Sequence, residues 1–96
     1  MTLNRRAKGM RNERRAQDLL TSWGYTCFRL YQPRMAEQGP VDIIAVSRER
    51  VRFVQVRTNS WHDLRPLKQL EVPPYATKEA WMFKDREAEP RQRVLE

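Results

Sequence analysis

Three side chains in the middle of this sequence have the types and spacing for chemistry: Asp42, and Gln55 and Arg57 separated by one residue. They fall in two apolar runs, Gly39-Pro40-Val41-Asp42-Ile43-Ile44-Ala45-Val46 and Val51-Arg52-Phe53-Val54-Gln55-Val56-Arg57. A strand sends alternate side chains to opposite faces, so Gln55 and Arg57 share one. Asp42 and Gln55 are about equally far from the turn Ser47-Arg48-Glu49-Arg50, and an antiparallel hairpin closed there brings them close. A carboxylate and an amide oxygen are hard donors of the kind magnesium takes, with waters completing its shell. Arg57 adds a permanent cation for charge that builds on a phosphate. A plainer arrangement uses the same residues: an Asp42–Arg57 ion pair with Gln55 as its neutral neighbour. Asp42 alternates with Ile44 and Val46, and a carboxylate on that face requires a partner in either case.

Glu13 adds a second acid. Ala16, Leu19, Leu20 and Trp23 repeat at i, i+3, i+4 and i+7, the stripe of a helix packed on a core. On the helical wheel Glu13 lies about 20° from Leu20, at the margin of that stripe and away from the charged face of Arg11, Arg14, Arg15 and Asp18. It is placed to join Asp42 and Gln55 as a metal ligand or to orient water. Pairing with Arg14, Arg15 or Gln17 would use it up instead.

These residues need a scaffold to hold them. A helix is expected from Asn4 to Trp23, stopped by Gly24. The aromatic and β-branched run Tyr25 to Tyr31 reads as a strand, and Gln32 to Pro40 as a loop. Strands at Val41–Val46 and Val51–Arg57 follow, then a short helix near Asp63 to Glu71 ended by Pro73-Pro74. Ala80–Lys84 forms a fourth strand and Arg91–Leu95 a weaker fifth, after a turn around Glu87 to Pro90. The order α-β-β-β-α-β-β suits a mixed α/β sheet flanked by helices, in a single domain spanning residues 1–96. Trp61 and Trp81 are expected in the core or a dimer interface, with Phe83 on the same strand face as Trp81.

Charge narrows the partners. The formal net charge is +7, and fifteen of the nineteen cations are arginine. Arginine forks onto phosphate and stacks on bases, which points to nucleic acid. Phosphate contacts are expected from Arg5, Arg6, Lys8, Arg11 and Arg34, and from Arg65 and Lys68 further on. One cysteine, Cys27, and one histidine, His62, exclude a disulfide framework and leave zinc almost without ligands. No run is long and apolar enough for a membrane span, and the N-terminus lacks a signal-peptide core, so an intracellular protein is expected.

Taken together, Arg11-Asn12-Glu13 on the first helix, Gly39-Pro40-Val41-Asp42-Ile43-Ile44-Ala45 and Val54-Gln55-Val56-Arg57 resemble the PD-(D/E)XK nuclease superfamily. Length and element order are similar to those of the archaeal-type Holliday-junction resolvases, which archaeal viruses and some phages also encode. The motif match runs from about Arg5 to Ser60. The resemblance implies a restriction-endonuclease-like fold and a homodimer that resolves four-way DNA junctions by Mg2+-dependent hydrolysis, with Mn2+ as a substitute. It implies that Glu13, Asp42 and Gln55 hold the metal, that Arg57 occupies the motif's lysine position, and that basic residues at the start of helix one hold DNA. Gln55 stands where archaeal resolvases usually have glutamate, which lowers the charge of the ligand set. Arg57 cannot exchange protons with water as a lysine can. The loop Gln32–Gly39 has no serine or threonine, so a hydroxyl that some members place there is missing.

Overall fold

The structure, a computed structural model, describes residues 2–30, 39–61 and 63–96, with side chains from residue 7 onward. Helix α1 spans Thr2–Ser22, β1 Thr26–Arg29, β2 Ile43–Val46, β3 Val51–Thr58, α2 Arg65–Gln69, β4 Ala76–Phe83 and β5 Arg91–Leu95. The strands form a five-stranded sheet in the order β1-β2-β3-β4-β5. β1, β2 and β3 pair antiparallel, β3 and β4 parallel, and β4 and β5 antiparallel. The segment carrying α2 makes the crossover that a parallel pair requires. The expected element order is therefore observed, in a mixed sheet.

α1 lies on one face, where Ala16 and Leu20 join Ile43, Ala45, Val54, Trp81 and Phe83 in a buried cluster. On the other face Leu64 and Leu67 pack with Val41, Ala80 and Leu95, and Trp61 rests against them. Trp81 and Phe83 are core residues, as their alternation indicated. Trp23 departs from the expected stripe and is 48% exposed. The helix has ended before it: Gly24 adopts φ 96°, and the Tyr25 N–H bonds back to the Leu20 carbonyl, a left-handed helix stop that turns the chain into β1. From there Trp23 meets the buried Trp81 ring only at a tilted 5.6 Å contact.

Two boundaries differ from expectation. α2 is shorter than the Asp63–Glu71 helix, because Pro66 sits in its first turn and Leu70 is already extended. β4 begins at Ala76 instead of Ala80. Its early part, Thr77-Lys78-Glu79, is polar in sequence, yet Lys78 and Glu79 are buried, since each charge finds a partner. Lys78 Nζ donates to the carbonyls of Lys68 and Leu70, closing the end of α2. Glu79 accepts the Trp81 indole N–H at 3.0 Å and faces Arg52 at 3.1 Å.

Candidate active site

Asp42 immediately precedes β2, where its pairing with β3 ends. The register Ile43↔Val54, carried one step on, sets Asp42 beside Gln55. The Asp42 N–H donates to the Val54 carbonyl at 2.9 Å, and its carbonyl accepts the Leu30 N–H at 2.9 Å, which fixes its backbone on both sides. Its carboxylate Oδ2 accepts the Val56 N–H at 2.7 Å. The side chain thus supplies the acceptor for a strand amide that has run out of β2 backbone, leaving Oδ1 for another partner. A carboxylate on the face of Ile44 and Val46 needs a partner, and this one finds it in the strand backbone, closing the end of the ladder.

The electrostatics of Asp42 are those of an incompletely compensated buried acid. Burial raises its pKa to about 6; the Val56 N–H opposes the rise, Glu13 adds to it, and Arg57 and Arg29 oppose it. Among the described residues no cation lies within ion-pair distance of Asp42, so the simple Asp42–Arg57 pair does not form. Arg57 donates from Nη2 to the Asp63 carbonyl at 3.3 Å. Its Nε, and the amide oxygen Oε1 of Gln55, are buried without a hydrogen-bond partner among the described residues. A buried acceptor beside a half-used carboxylate is a costly arrangement unless something outside the chain fills it.

Glu13 reaches this group from α1. Its partner is none of the three helix neighbours considered from sequence: Arg29 Nη2 of β1 lies 3.0 Å from its Oε1. Arg29 also acts on Asp42 through its charge, so a fifth residue joins the candidate group. Sequence alternation offered no reason to choose it, because Arg29 ends a strand and its acid lies on a different element. Glu13, Arg29, Asp42, Gln55 and Arg57 therefore converge on the end of the sheet where β2 starts and β3 finishes.

The expected phosphate contacts divide differently. Lys8 pairs with Asp85 at 3.1 Å and Arg65 with Asp63 at 2.9 Å, so both meet acids within the fold. Asp63 is held down to a pKa of about 2 by its bonds from Arg65. Arg11 and Lys68 are exposed. The side chains of Arg5 and Arg6, and all of Arg34 with the loop around it, lie outside the described residues. A groove of about 600 Å³ between the α2–β4 connection and the end of β5 is lined in part by Pro73, Pro74 and Val94 and does not include the Asp42 group.

The ligand chemistry fits a hard divalent cation. Asp42 offers a carboxylate oxygen, Gln55 an unpartnered buried amide oxygen and Glu13 a second carboxylate, all of the class magnesium accepts. Among the described residues no three His, Cys, Asp or Glu side chains cluster.

No protein-family model and no characterised protein matches the sequence. In three dimensions the chain is similar to Hjc of Archaeoglobus fulgidus, a Holliday junction resolvase from an archaeal hyperthermophile. The TM-score is 0.71 at 18% sequence identity, over 90% of this chain and 76% of that one. The likeness establishes the fold: a restriction-endonuclease-like mixed sheet with flanking helices.

Proposed function

We propose that this protein is a divalent-metal-dependent endonuclease that cuts four-way DNA junctions as a homodimer. The observation that carries the proposal is the pairing, at one end of a resolvase-like sheet, of the Asp42 carboxylate with the Gln55 amide oxygen, which has no partner among the described residues. Asp42, Gln55 and Glu13 would hold Mg2+, with Mn2+ able to replace it. A divalent ion there would supply an activated water and offset charge on the scissile phosphate.

The remaining roles fall to the chain. The Val56 N–H fixes the orientation of the Asp42 carboxylate by a charge-assisted bond. Arg57, anchored by one bond to the Asp63 carbonyl, is a fixed cation for the charge that develops on the phosphate. Its contribution is electrostatic, and the proton leaves by way of water. Arg29 restrains the Glu13 carboxylate and adds positive charge beside the phosphate position. DNA would be held through its backbone by Arg11 and Lys68, with Arg5, Arg6, Lys8, Arg34 and Arg65 contributing. Selection of a junction is then recognition of shape, because neither described helix looks like a base-reading element. A single site per chain and two opposed strands to cut call for two copies.

A second reading is a catalytically silent DNA-binding protein on the same fold. It is favoured by the Arg29–Glu13 ion pair, which occupies one expected ligand, and by arginine at position 57. A nuclease of the same fold acting on flaps, nicks or plain duplex is a third reading. One assay separates them: cleavage of junction, flap, nicked and linear duplex DNA with Mg2+, with Mn2+ and with a chelator. The proposal expects metal-dependent linear products from the junction alone. Tight, salt-sensitive junction binding without products would establish the silent binder, and equal cutting of the other substrates would establish a different nuclease. Sedimentation of the protein tests the dimer.

A further inference from the structure

The sheet-facing side of α1 changes character along its length. Its C-terminal half presents Ala16 and Leu20, both fully buried. Its N-terminal half presents Lys8, Asn12 and Arg15, which repeat at i, i+4 and i+7 on the same side of the helix. Apolar contacts secure burial but are non-directional, so Ala16 and Leu20 alone leave the helix free to roll or slide on the sheet. Hydrogen bonds are directional and remove that freedom.

Asn12 is 4% exposed, and both ends of its amide are used. Its Nδ2 donates to Thr58 Oγ1 at 2.9 Å, and its Oδ1 accepts from Arg15 Nη1 at 3.0 Å. Arg15 then donates from Nη2 to the Glu87 carbonyl at 3.1 Å and the Ala88 carbonyl at 2.9 Å. Its guanidinium lies 4.6 Å from the centre of the Phe83 ring. One turn earlier, Lys8 meets Asp85, whose N–H and carboxylate are both bonded by the Asn59 side chain. Polar contacts thus join the helix to the ends of β3 and β4 and to the β4–β5 turn.

The chain neighbours of this clamp are site residues. Asn12 precedes Glu13, and Thr58 follows Arg57. Successive helix residues project about 100° apart, so fixing the direction of Asn12 fixes that of Glu13. The geometry points to Asn12 and Arg15 as positioning residues: through Thr58 and the β4–β5 turn they set the rotation of α1 that aims Glu13 at the group around Asp42. The inference rests on the reading of Glu13, Asp42 and Gln55 as metal ligands. It adds residues that touch neither metal nor DNA yet determine how well the site forms.

The test is Mn2+ binding by the protein alone near neutral pH, followed by the electron paramagnetic resonance signal of free Mn2+, with thermal melting of each variant in parallel. Asn12→Ala and Thr58→Val should each weaken Mn2+ binding by about tenfold, the range expected when an orienting partner of a ligand is lost. The double variant should bind no more weakly than Asn12→Ala alone, because the Asn12–Thr58 bond is already lost there. Thr58→Val deletes one hydroxyl at nearly constant volume, so it remains readable even if Asn12→Ala does not fold. Wild-type binding of Mn2+ with unchanged binding by folded Thr58→Val would overturn the inference and leave the site intact. Failure of the wild-type protein to bind Mn2+ would overturn the metal-site reading and the inference with it.

Discussion

β3 carries a buried polar cluster at each of its ends, and the two are finished differently. Near its start, Arg52 faces Glu79 at 3.1 Å, and Glu79 also accepts the Thr77 hydroxyl and the Trp81 indole N–H. Arg52 Nε and Nη1 make no hydrogen bond, but the Trp23 and Tyr25 rings stand 5.5 Å and 5.2 Å from its guanidinium carbon. Its charge is therefore compensated by an acid and by two aromatic faces. Near the end of β3, among the described residues, the Gln55 oxygen and Arg57 Nε have no partner, and Asp42 is held by a single backbone N–H. Similar residue types are spent inside the fold at one end and kept available at the other. Availability distinguishes a candidate site from a structural ion pair, and each cluster responds to mutation accordingly.

The largest expected effect is on catalysis at the open cluster. Asp42→Ala should lower the junction cleavage rate by on the order of a thousandfold or more, equivalent to about 4 kcal/mol at the transition state. Junction binding in a gel-shift assay should persist. Cleavage by this variant at a rate near wild type would move the site elsewhere. At the closed cluster the largest effect is on stability. Glu79→Ala leaves Arg52 buried without its acid and should cost about 3–5 kcal/mol in urea denaturation. A loss under about 1 kcal/mol would mean that the aromatic faces alone satisfy Arg52.

Titration sharpens the contrast. The Asp42 carboxyl has a folded-state pKa of about 6 against an ordinary value of 3.8. Between these values the folded chain holds a proton that the unfolded chain has released, so stability of the metal-free protein falls as pH rises through the window and levels off above it. The fall attributable to Asp42 is at most about 3 kcal/mol. Asp42→Asn keeps an acceptor for the Val56 N–H and should flatten this slope, making the metal-free protein more stable near pH 7 than wild type. Urea titrations at several pH values decide this, and an unchanged slope would show that Asp42 is already compensated. The smallest expected change is at Gln55. Gln55→Glu adds a charge to the ligand set and should lower the Mg2+ concentration for half-maximal cleavage by about tenfold, or about 1.4 kcal/mol. No shift would place Gln55 outside the ligand set.

Much of the site was legible because its key contacts are local in sequence. The hairpin that sets Asp42 beside Gln55 follows from two apolar runs and a short charged turn, and Gly24 stops α1 where a residue free to take φ 96° is needed. The margin position of Glu13 also followed from helical periodicity. Arg15 shows where periodicity fails. It reads as part of a solvated charged face, yet it turns inward to carbonyls on the β4–β5 turn. Its partners lie 72 and 73 residues away, beyond any local pattern. Arg29 is similar, 16 residues from Glu13 on another element.

The sequence by itself determined the elements, their order, and the convergence of an acid, an amide and a cation across one hairpin. These are consequences of side-chain alternation and turn chemistry within a short stretch of chain. Only the tertiary structure decided which charges are spent and which are kept. Arg52 and Glu79 occupy neighbouring strands in parallel and are joined by a crossover, and the same packing withholds from Asp42 any ion pair among the described residues. Compensation of a buried charge depends on every element that surrounds it, and that information resides in the packing of the whole sheet.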